Sequence, residues 1–296
     1  MSENRFITHE NTVLDTATGL TWTLNAAVTF TGLPWLEALQ FVSEMNKQNK
    51  FGKNDWRLPN RRELNSLIDY SEKQPAMLKG HPFQDVWKGW YWTSTTYAGA
   101  TDYAWRVQFT GGRMFFGKKV EDSLVWPVRG SSEKLLQTGQ TACFDEQGKT
   151  INCTDSGQDG EVKAGISWDG SRFRKCDNDV EDLMTGLCWS RQASLTGKQV
   201  SWASAMKAVK DMARQSGERW RMPTIQELES LTDCSQFSPA LPADHPFIEV
   251  PEACWSSTTS GFDPDWVFCL YWKKGAVGVG YKANEDFHVW AVKDSR

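Results

Sequence analysis

Apolar residues recur with helical spacing at two places in the chain, 167 positions apart. The two sets are Trp35, Ala38, Leu39, Val42 and Met45, and Trp202, Ala205, Met206, Val209 and Met212. Residues spaced at i, i+3, i+4 and i+7 lie on one face of an α-helix, which turns towards a core. The pattern predicts two amphipathic helices, and Pro34 suits the first turn of the earlier one.

A hairpin is predicted before each helix. The segment 13–22 reads VLDTATGLTW, and 180–189 reads VEDLMTGLCW at the same offset. An Asp/Thr/Gly turn between two short apolar runs is typical of two antiparallel strands. Both helices therefore follow the same local fold.

A third repeated motif combines a strand, a sharp stop and a helix. It reads DWRLPNRREL at 55–64 and RWRMPTIQEL at 219–228. The shared positions with a structural role are Trp56, Arg57, Pro59 and Glu63, and Trp220, Arg221, Pro223 and Glu227. Proline disfavours helix in the residue before it, and Asn or Thr followed three residues later by Glu forms a capping box. The motif predicts an extended segment followed by a capped helix, whose apolar face includes Leu64, Leu67 and Ile68.

The two motif arginines have two interpretations. A part-buried Arg57 or Arg221 braces a fold through carboxylates and carbonyls, whereas an exposed one grips an anionic ligand. The first is favoured because each arginine lies inside the structural motif. The His-Pro-Phe sequences that begin at His81 and His245 are likewise typical of pinned turns, since no nucleophile motif accompanies either histidine.

The later part of each repeat is predicted to be strands. WTSTT at 92–96 matches WSSTT at 255–259, and WPVR at 126–129 matches WAVK at 290–293. Hydroxyl and β-branched residues favour strands and their turns. Between these segments we align Trp105 with Trp266. No glycine elbow accompanies the Ser/Thr runs, so they predict no nucleophile, and no catalytic residue is assigned.

The repeat order predicts two tandem domains, 1–130 and 171–296, joined by a connector at 131–170. The connector is polar, acidic and glycine-rich, with one small hairpin between Cys143 and Cys153. Those two cysteines suit a disulfide if the protein is exported, and free thiols if it is cytoplasmic. The compartment stays open: MSENRFITHENTV is no signal peptide, so the chain is cytoplasmic or has lost a leader and is secreted or in the cell envelope.

Charge and composition exclude several classes of partner. The formal charge of −4 divides into +2, −4 and −2 over 1–130, 131–170 and 171–296, so nucleic acid is not expected. No apolar run approaches ~20 residues, so no membrane span is expected. Four histidines and no CxxC pair predict no zinc site and no cofactor. The acidic cluster Asp177–Asp182 lacks the spacing of a calcium loop and favours a solvated turn.

Together, TGLTW, DWRLP followed by EL, WTSTT and WPVR resemble the Lcl C-terminal domain family, long known as a domain of unknown function. The first repeat carries all of these motifs, and the second carries variants. The WRLP-then-EL element is also similar to that of formylglycine-generating enzymes. This resemblance implies an α+β fold in which each copy is C-type-lectin-like, with two helices beside a twisted antiparallel sheet. Some family members are secreted adhesins that bind sulfated polysaccharides.

Two functions are weighed, and a third is kept. The first is a non-enzymatic, adhesin-like module that binds a glycan or a protein surface through the strand-and-turn half of each repeat. Its candidate residues are aromatic or cationic: Trp87, Trp90, Tyr97, Tyr103, Arg113, Lys118 and Lys119, and Phe262, Trp272, Lys273, Lys274, Tyr281 and Lys282. The second is a cysteine- or metal-dependent enzyme with Cys254 and Cys269 as its redox pair. The third is a structural repeat of a surface assembly.

Overall fold

The computed structural model describes residues 5–168 and 170–295. The chain divides into two compact units, one ending at Ser167 and the next beginning at Trp168. Each unit contains one sequence repeat, with its own helices and antiparallel strands. The predicted α+β class in two tandem copies is confirmed. No helix in the described ranges is long and apolar enough to cross a membrane.

The first unit contains two antiparallel sheets, a small hairpin and three helices. In chain order its elements are β1 (Phe6–His9), β2 (Thr12–Asp15), β3 (Leu20–Thr23), α1 (Trp35–Lys47), a 3-10 turn (Lys50–Gly52), α2 (Arg61–Asn65), β4 (Trp90–Thr96), β5 (Tyr103–Gln108), β6 (Met114–Lys118), β7 (Val128–Arg129), β8 (Cys143–Phe144), β9 (Thr150–Ile151) and α3 (Asp159–Val162). One sheet has the order β1-β2-β3-β7, and β4-β5-β6 form a meander. Strands β8 and β9 form the hairpin.

The second unit repeats both sheets. Its elements are β10 (Phe173–Lys175), β11 (Asp179–Asp182), β12 (Leu187–Ser190), α4 (Trp202–Ser216), α5 (Ile225–Ser230), β13 (Ala253–Thr259), β14 (Trp266–Tyr271), β15 (Ala276–Tyr281) and β16 (Val292–Asp294). The order β10-β11-β12-β16 matches the first sheet, and β13-β14-β15 form the meander.

Strand register corrects one sequence alignment. The pairing of β4 with β5, and of β13 with β14, places Trp266 at the position of Tyr103 and Cys269 at that of Arg106. The alignment of Trp266 with Trp105 is therefore wrong by two residues. The sequence alignment matched the two positions because both are tryptophan. The structural equivalence instead follows from the pairing of strands, which has the same spacing in both meanders.

The helix predictions hold with two corrections. Helix α1 buries all five of its predicted apolar residues. Helix α4 buries Ala205 and Val209, but Met206 is 39% exposed. The helix after the first motif ends at Asn65, so Leu67 and Ile68 are buried by the turn that follows rather than by the helix face.

Tryptophan clusters form much of both cores. In the first unit the Trp126 ring lies 5.7 Å from Trp22 and 4.9 Å from Phe83, measured between ring centres. In the second unit Trp290 lies 5.4 Å from Trp189 and 4.7 Å from Phe247. Truncating such a buried ring costs ~3–5 kcal/mol. The tryptophans and the Phe residues of both His-Pro-Phe turns are therefore packing residues.

The segment predicted as a connector packs into the first unit up to Ser167. Thr95 of β4 and Thr138 each donate a 2.6 Å hydrogen bond to the Asp159 carboxylate, which is fully buried. The Gln140 side-chain amide bonds both the N–H and the carbonyl of Thr96, at 2.7 and 2.8 Å. The segment thus continues the polar interior of the first unit.

A disulfide joins Cys143 to Cys153 and closes the β8–β9 hairpin within this segment. Cys143 is fully buried. The other five cysteines are thiols.

Candidate ligand-binding surface

Both motif arginines are held by the glutamate of the capping box. Arg57 donates to the two carboxylate oxygens of Glu63 at 2.7 and 2.6 Å, and Arg221 does the same to Glu227 at 2.7 Å. Arg57 also donates to the Gly130 carbonyl at 2.6 Å. Each glutamate closes its capping box at the same time. The geometry matches the bracing interpretation, because the guanidinium groups are already occupied.

In each unit a lysine lies over the first tryptophan of the long helix, which is α1 in the first unit and α4 in the second. Lys119 Nζ lies 4.2 Å from the Trp35 ring centre, and Lys282 Nζ lies 4.7 Å from that of Trp202. Lys119 is 1% exposed and donates to the carbonyls of Phe144 and Asp145 at 3.2 and 3.0 Å. Its burial lowers the pKa of this ammonium group to about 7. Lys119, predicted as a ligand contact, is instead enclosed by the β8–β9 hairpin.

The predicted redox cysteines are poorly placed for that chemistry. Cys254 lies opposite Leu270 and Cys269 lies opposite Trp255, so the two thiols point to opposite faces of the β13–β14 pair. Both are fully buried, and burial raises the pKa of each thiol to about 12. The reactive thiolate is therefore disfavoured at both positions. Within the described ranges, no group of three or more His, Cys, Asp or Glu side chains is arranged to hold a metal ion.

One serine–histidine contact was missed by the sequence analysis. Ser194 Oγ lies 2.7 Å from His288 Nδ1, where the first unit has Ala27 and Leu124. Burial lowers the pKa of His288, which favours the neutral ring. Ser194 is only 5% exposed. The contact joins two segments that are distant in the chain, and the serine hydroxyl is not presented to a substrate.

The acidic cluster of the second unit is neutralised internally. Asp179 and Glu218 accept hydrogen bonds from Lys293 at 2.5 and 2.6 Å. Asp182 pairs with Arg172 in a buried ion pair. A cleft of about 710 Å³ beside this cluster is lined by Asp179, Glu218 and Lys293, and by Cys176 and Cys188. These carboxylates are paired with lysine and arginine side chains of the same unit, and this pairing does not favour calcium binding.

The structure separates the predicted ligand residues into three groups. Three are buried and cannot contact a ligand at the surface: Tyr97, Lys119 and Trp272. Trp90, Tyr103 and Lys282 are half-buried. The exposed group is Trp87, Arg113, Lys118, Phe262, Lys273, Lys274 and Tyr281. Tyr97 stacks on Phe116 at 3.8 Å and Trp272 packs on Trp290 at 5.3 Å, so their rings belong to the cores.

The exposed residues of the second unit do not form one site. Lys273 and Lys274 lie in the turn between β14 and β15, whereas Tyr281 ends β15 at the opposite end of the hairpin. Five residues of strand separate these ends, which is ~17 Å. The exposed candidates of the second unit therefore lie at two ends of one hairpin.

Two exposed aromatic residues meet near the end of that hairpin, and a third lies in the adjoining loop. Trp266 and Tyr281 are cross-strand neighbours, 38% and 39% exposed, with ring centres 5.6 Å apart. Phe262, 51% exposed, lies in the loop that leads into β14. We call Phe262, Trp266 and Tyr281 the aromatic shelf. The sequence analysis missed Trp266 as a site residue, because it aligned Trp266 with Trp105 and not with the candidate Tyr103.

The loop beneath the aromatic shelf is held in place by hydrogen bonds. Lys282 Nζ donates to the Pro264 carbonyl at 2.7 Å, and the Lys282 N–H donates to that of Asp265 at 2.9 Å. The Trp266 N–H donates to the Asp263 carbonyl at 3.1 Å. The carboxylates of Asp263 and Asp265 lie in exposed positions of this loop. The surface thus combines fixed aromatic rings with acceptors for hydroxyl groups.

Comparison with known families identifies both repeats. A family model described as the Lcl C-terminal domain matches residues 11–129 and 178–293. The matched ranges follow the two sequence repeats and leave out most of the segment between them. A comparison with curated proteins found no match.

Proposed function

The chain belongs to the Lcl C-terminal domain family, and from that premise we propose that it is a non-enzymatic, adhesin-like module that binds carbohydrate on the aromatic shelf of its second unit. The observation that carries the proposal is the exposed cross-strand pair of Trp266 and Tyr281. Exposed aromatic rings on a fixed surface mark interaction sites, since leaving them in water forgoes apolar burial. The apolar face of a sugar ring would provide that burial.

The charges around the aromatic shelf favour a neutral sugar over a polyanion. Asp263 and Asp265 are carboxylates, and Lys282, which touches the loop, already donates to a carbonyl and lies over Trp202. Carboxylates accept hydrogen bonds from hydroxyl groups but repel sulfate. The ligand class we propose is therefore a hydroxyl-rich neutral glycan.

The test is a glycan array that contains neutral and sulfated oligosaccharides, followed by calorimetry with the best neutral ligand. Trp266→Ala and Tyr281→Ala should each weaken binding by about tenfold, because each removes one stacked ring. A tenfold change in the dissociation constant corresponds to about 1.4 kcal/mol. Trp87→Ala is the matched control, since it removes an exposed tryptophan from the first unit.

Two results would count against this function. If both shelf variants keep the parent melting temperature and the parent affinity, the shelf is not the glycan site. If no neutral glycan binds but a sulfated one does, the proposed ligand class is wrong.

A further inference from the structure

An exposed phenylalanine occupies a strained turn in the first unit. Phe30, 75% exposed, has a φ of 57° in the left-handed region. Gly197 occupies the same turn of the second unit with a φ of 65°. The same hydrogen bond closes both turns, from Phe30 N–H to the Ala27 carbonyl and from Gly197 N–H to the Ser194 carbonyl. Glycine takes this conformation without strain, so phenylalanine adds backbone strain and also leaves a large ring in water.

The Phe30 ring forms one wall of a groove. A cavity of about 380 Å³ lies between this turn, helix α1 and the 3-10 turn at Lys50–Gly52, and its aromatic walls are Phe30, Phe41 and Phe51. We call these three residues the phenylalanine groove. Val28 and Met45 add apolar surface. The volume lies within the range of small-ligand sites.

The second unit replaces two of the three phenylalanines of this groove. At the same offset of 167, Gly197 replaces Phe30 and Ala208 replaces Phe41. Phe51, like Phe30, has a positive φ, of 58°. Two aromatic side chains in strained backbone positions therefore line one cavity, and the related unit folds with glycine at the first of these positions. Phe51 also packs against the core beside Trp56. Phe30, at 75% exposed, gains little packing in return for its strain, which points to a ligand.

The groove already holds a cation of the chain itself. Lys50 Nζ lies 5.4 Å from the centre of the Phe51 ring. Glu44 lines the same cavity and pairs with Lys47 on its outer side. Asn25, also in the lining, donates to the Asp85 carboxylate at 2.6 Å. Aromatic faces and carboxylates both favour positive charge.

We propose that the phenylalanine groove binds a small organic cation through an alkylated ammonium group, of which choline is the simplest example. The methylated nitrogen would lie against Phe30, Phe41 and Phe51, with Glu44 as its counter-charge. Lys50 occupies the open side and would swing out when the ligand enters. The site is independent of the aromatic shelf, which belongs to the other unit.

The probe is choline chloride, titrated into the full chain by calorimetry and by NMR. The comparison ligand is 3,3-dimethylbutan-1-ol, which has the same shape without the charge. Choline should bind, and the neutral alcohol should bind at least tenfold more weakly, since attraction of the charge to aromatic rings is the main contribution. Equal affinity for both ligands would overturn the proposal and leave an ordinary apolar groove. The absence of choline binding would overturn it as well.

Three variants sharpen the test. Phe30→Gly, the residue that the second unit uses in this turn, should keep or raise the melting temperature while choline affinity falls at least tenfold. Phe51→Leu keeps apolar bulk and should also lose affinity. Lys50→Gln should leave choline binding equal or tighter, because a competing charge is removed.

The control variant is Trp266→Ala in the aromatic shelf, which should bind choline like the parent. Parent-like affinity in both phenylalanine variants, or weaker binding after Lys50→Gln, would contradict the proposal. Because the glycan test uses other residues and another ligand, either conclusion can fail without the other.

Discussion

At the scale of single residues, the same ion pair has different surroundings in the two units. The Arg57 side chain is 11% exposed and that of Glu63 is 1% exposed. For Arg221 and Glu227 the values are 40% and 20%. A charge left without its partner costs most where water cannot replace that partner. The same ion pair is therefore expected to contribute more to the free energy of unfolding in the first unit than in the second.

This difference gives a graded prediction for the two arginines. Arg57→Ala should lower the free energy of unfolding by about 3 kcal/mol, because Glu63 stays buried without its cation. Arg221→Ala should cost about 1 kcal/mol, since water reaches that pair. Denaturant melts of each variant measure both values. Arg113→Ala is the control, because Arg113 is exposed and its guanidinium donates to the Gln108 side chain. An Arg57→Ala melt identical to that of the parent would return this arginine to the ligand candidates.

At the scale of elements, sequence periodicity predicted the main secondary structure. Helices α1 and α4, the hairpins before them and both capping boxes follow from local spacing and capping chemistry. The candidate site was less predictable. Whether Trp272 is buried or Trp266 exposed depends on strand register and on which sheet face meets the core. Those are long-range facts that neighbouring residue types do not encode.

The short helix α3 gives a pH-dependent link to strand β4 through Asp159. Burial raises the pKa of this carboxyl to about 6, and the hydroxyls of Thr95 and Thr138 donate to it. A raised pKa in the folded state means that the protonated acid is favoured there. Its stabilising contribution is therefore full below pH ~4 and is lost as the pH rises through about 6.

Asp159→Asn should remove this pH dependence. The amide is neutral at every pH, and its one carbonyl oxygen can accept both hydroxyls, which meet a single oxygen in the parent. Relative to the parent, the variant should gain about 2 kcal/mol of stability between pH 4 and pH 7.5. Thermal melts across that range measure the difference. Parallel curves for the two proteins would show that Asp159 does not titrate as described.

At the scale of the whole molecule, the two units share one fold, but the first has an additional segment packed over its α2–β4 region. In the first unit Arg62 and Thr95 are buried beneath the 131–167 segment. In the second, Gln226 is exposed and Thr258 is half-buried at the matching positions. Sequence composition marked 131–170 as a connector because it is polar and has no apolar periodicity. Its fixed structure instead comes from hydrogen bonds to buried polar groups of the first repeat, which periodicity does not reveal.

The first unit should therefore need the whole of residues 1–167 to fold. Among the hydrogen bonds lost when the chain ends at 130 are five to buried groups of the α2–β4 region: two between Gln140 and Thr96, and those that Thr95, Arg62 and Asn60 donate to Asp159, Gln137 and Ala164. At about 1 kcal/mol each, the loss of ~5 kcal/mol approaches the entire stability of a small domain. The fragment 1–130 should be largely unfolded at 25 °C, whereas 1–167 should melt cooperatively. Circular dichroism melts and amide NMR dispersion compare the two, with 168–296 as the control that lacks the segment by nature. A fragment 1–130 that melts like 1–167 would restore the connector as a mere linker.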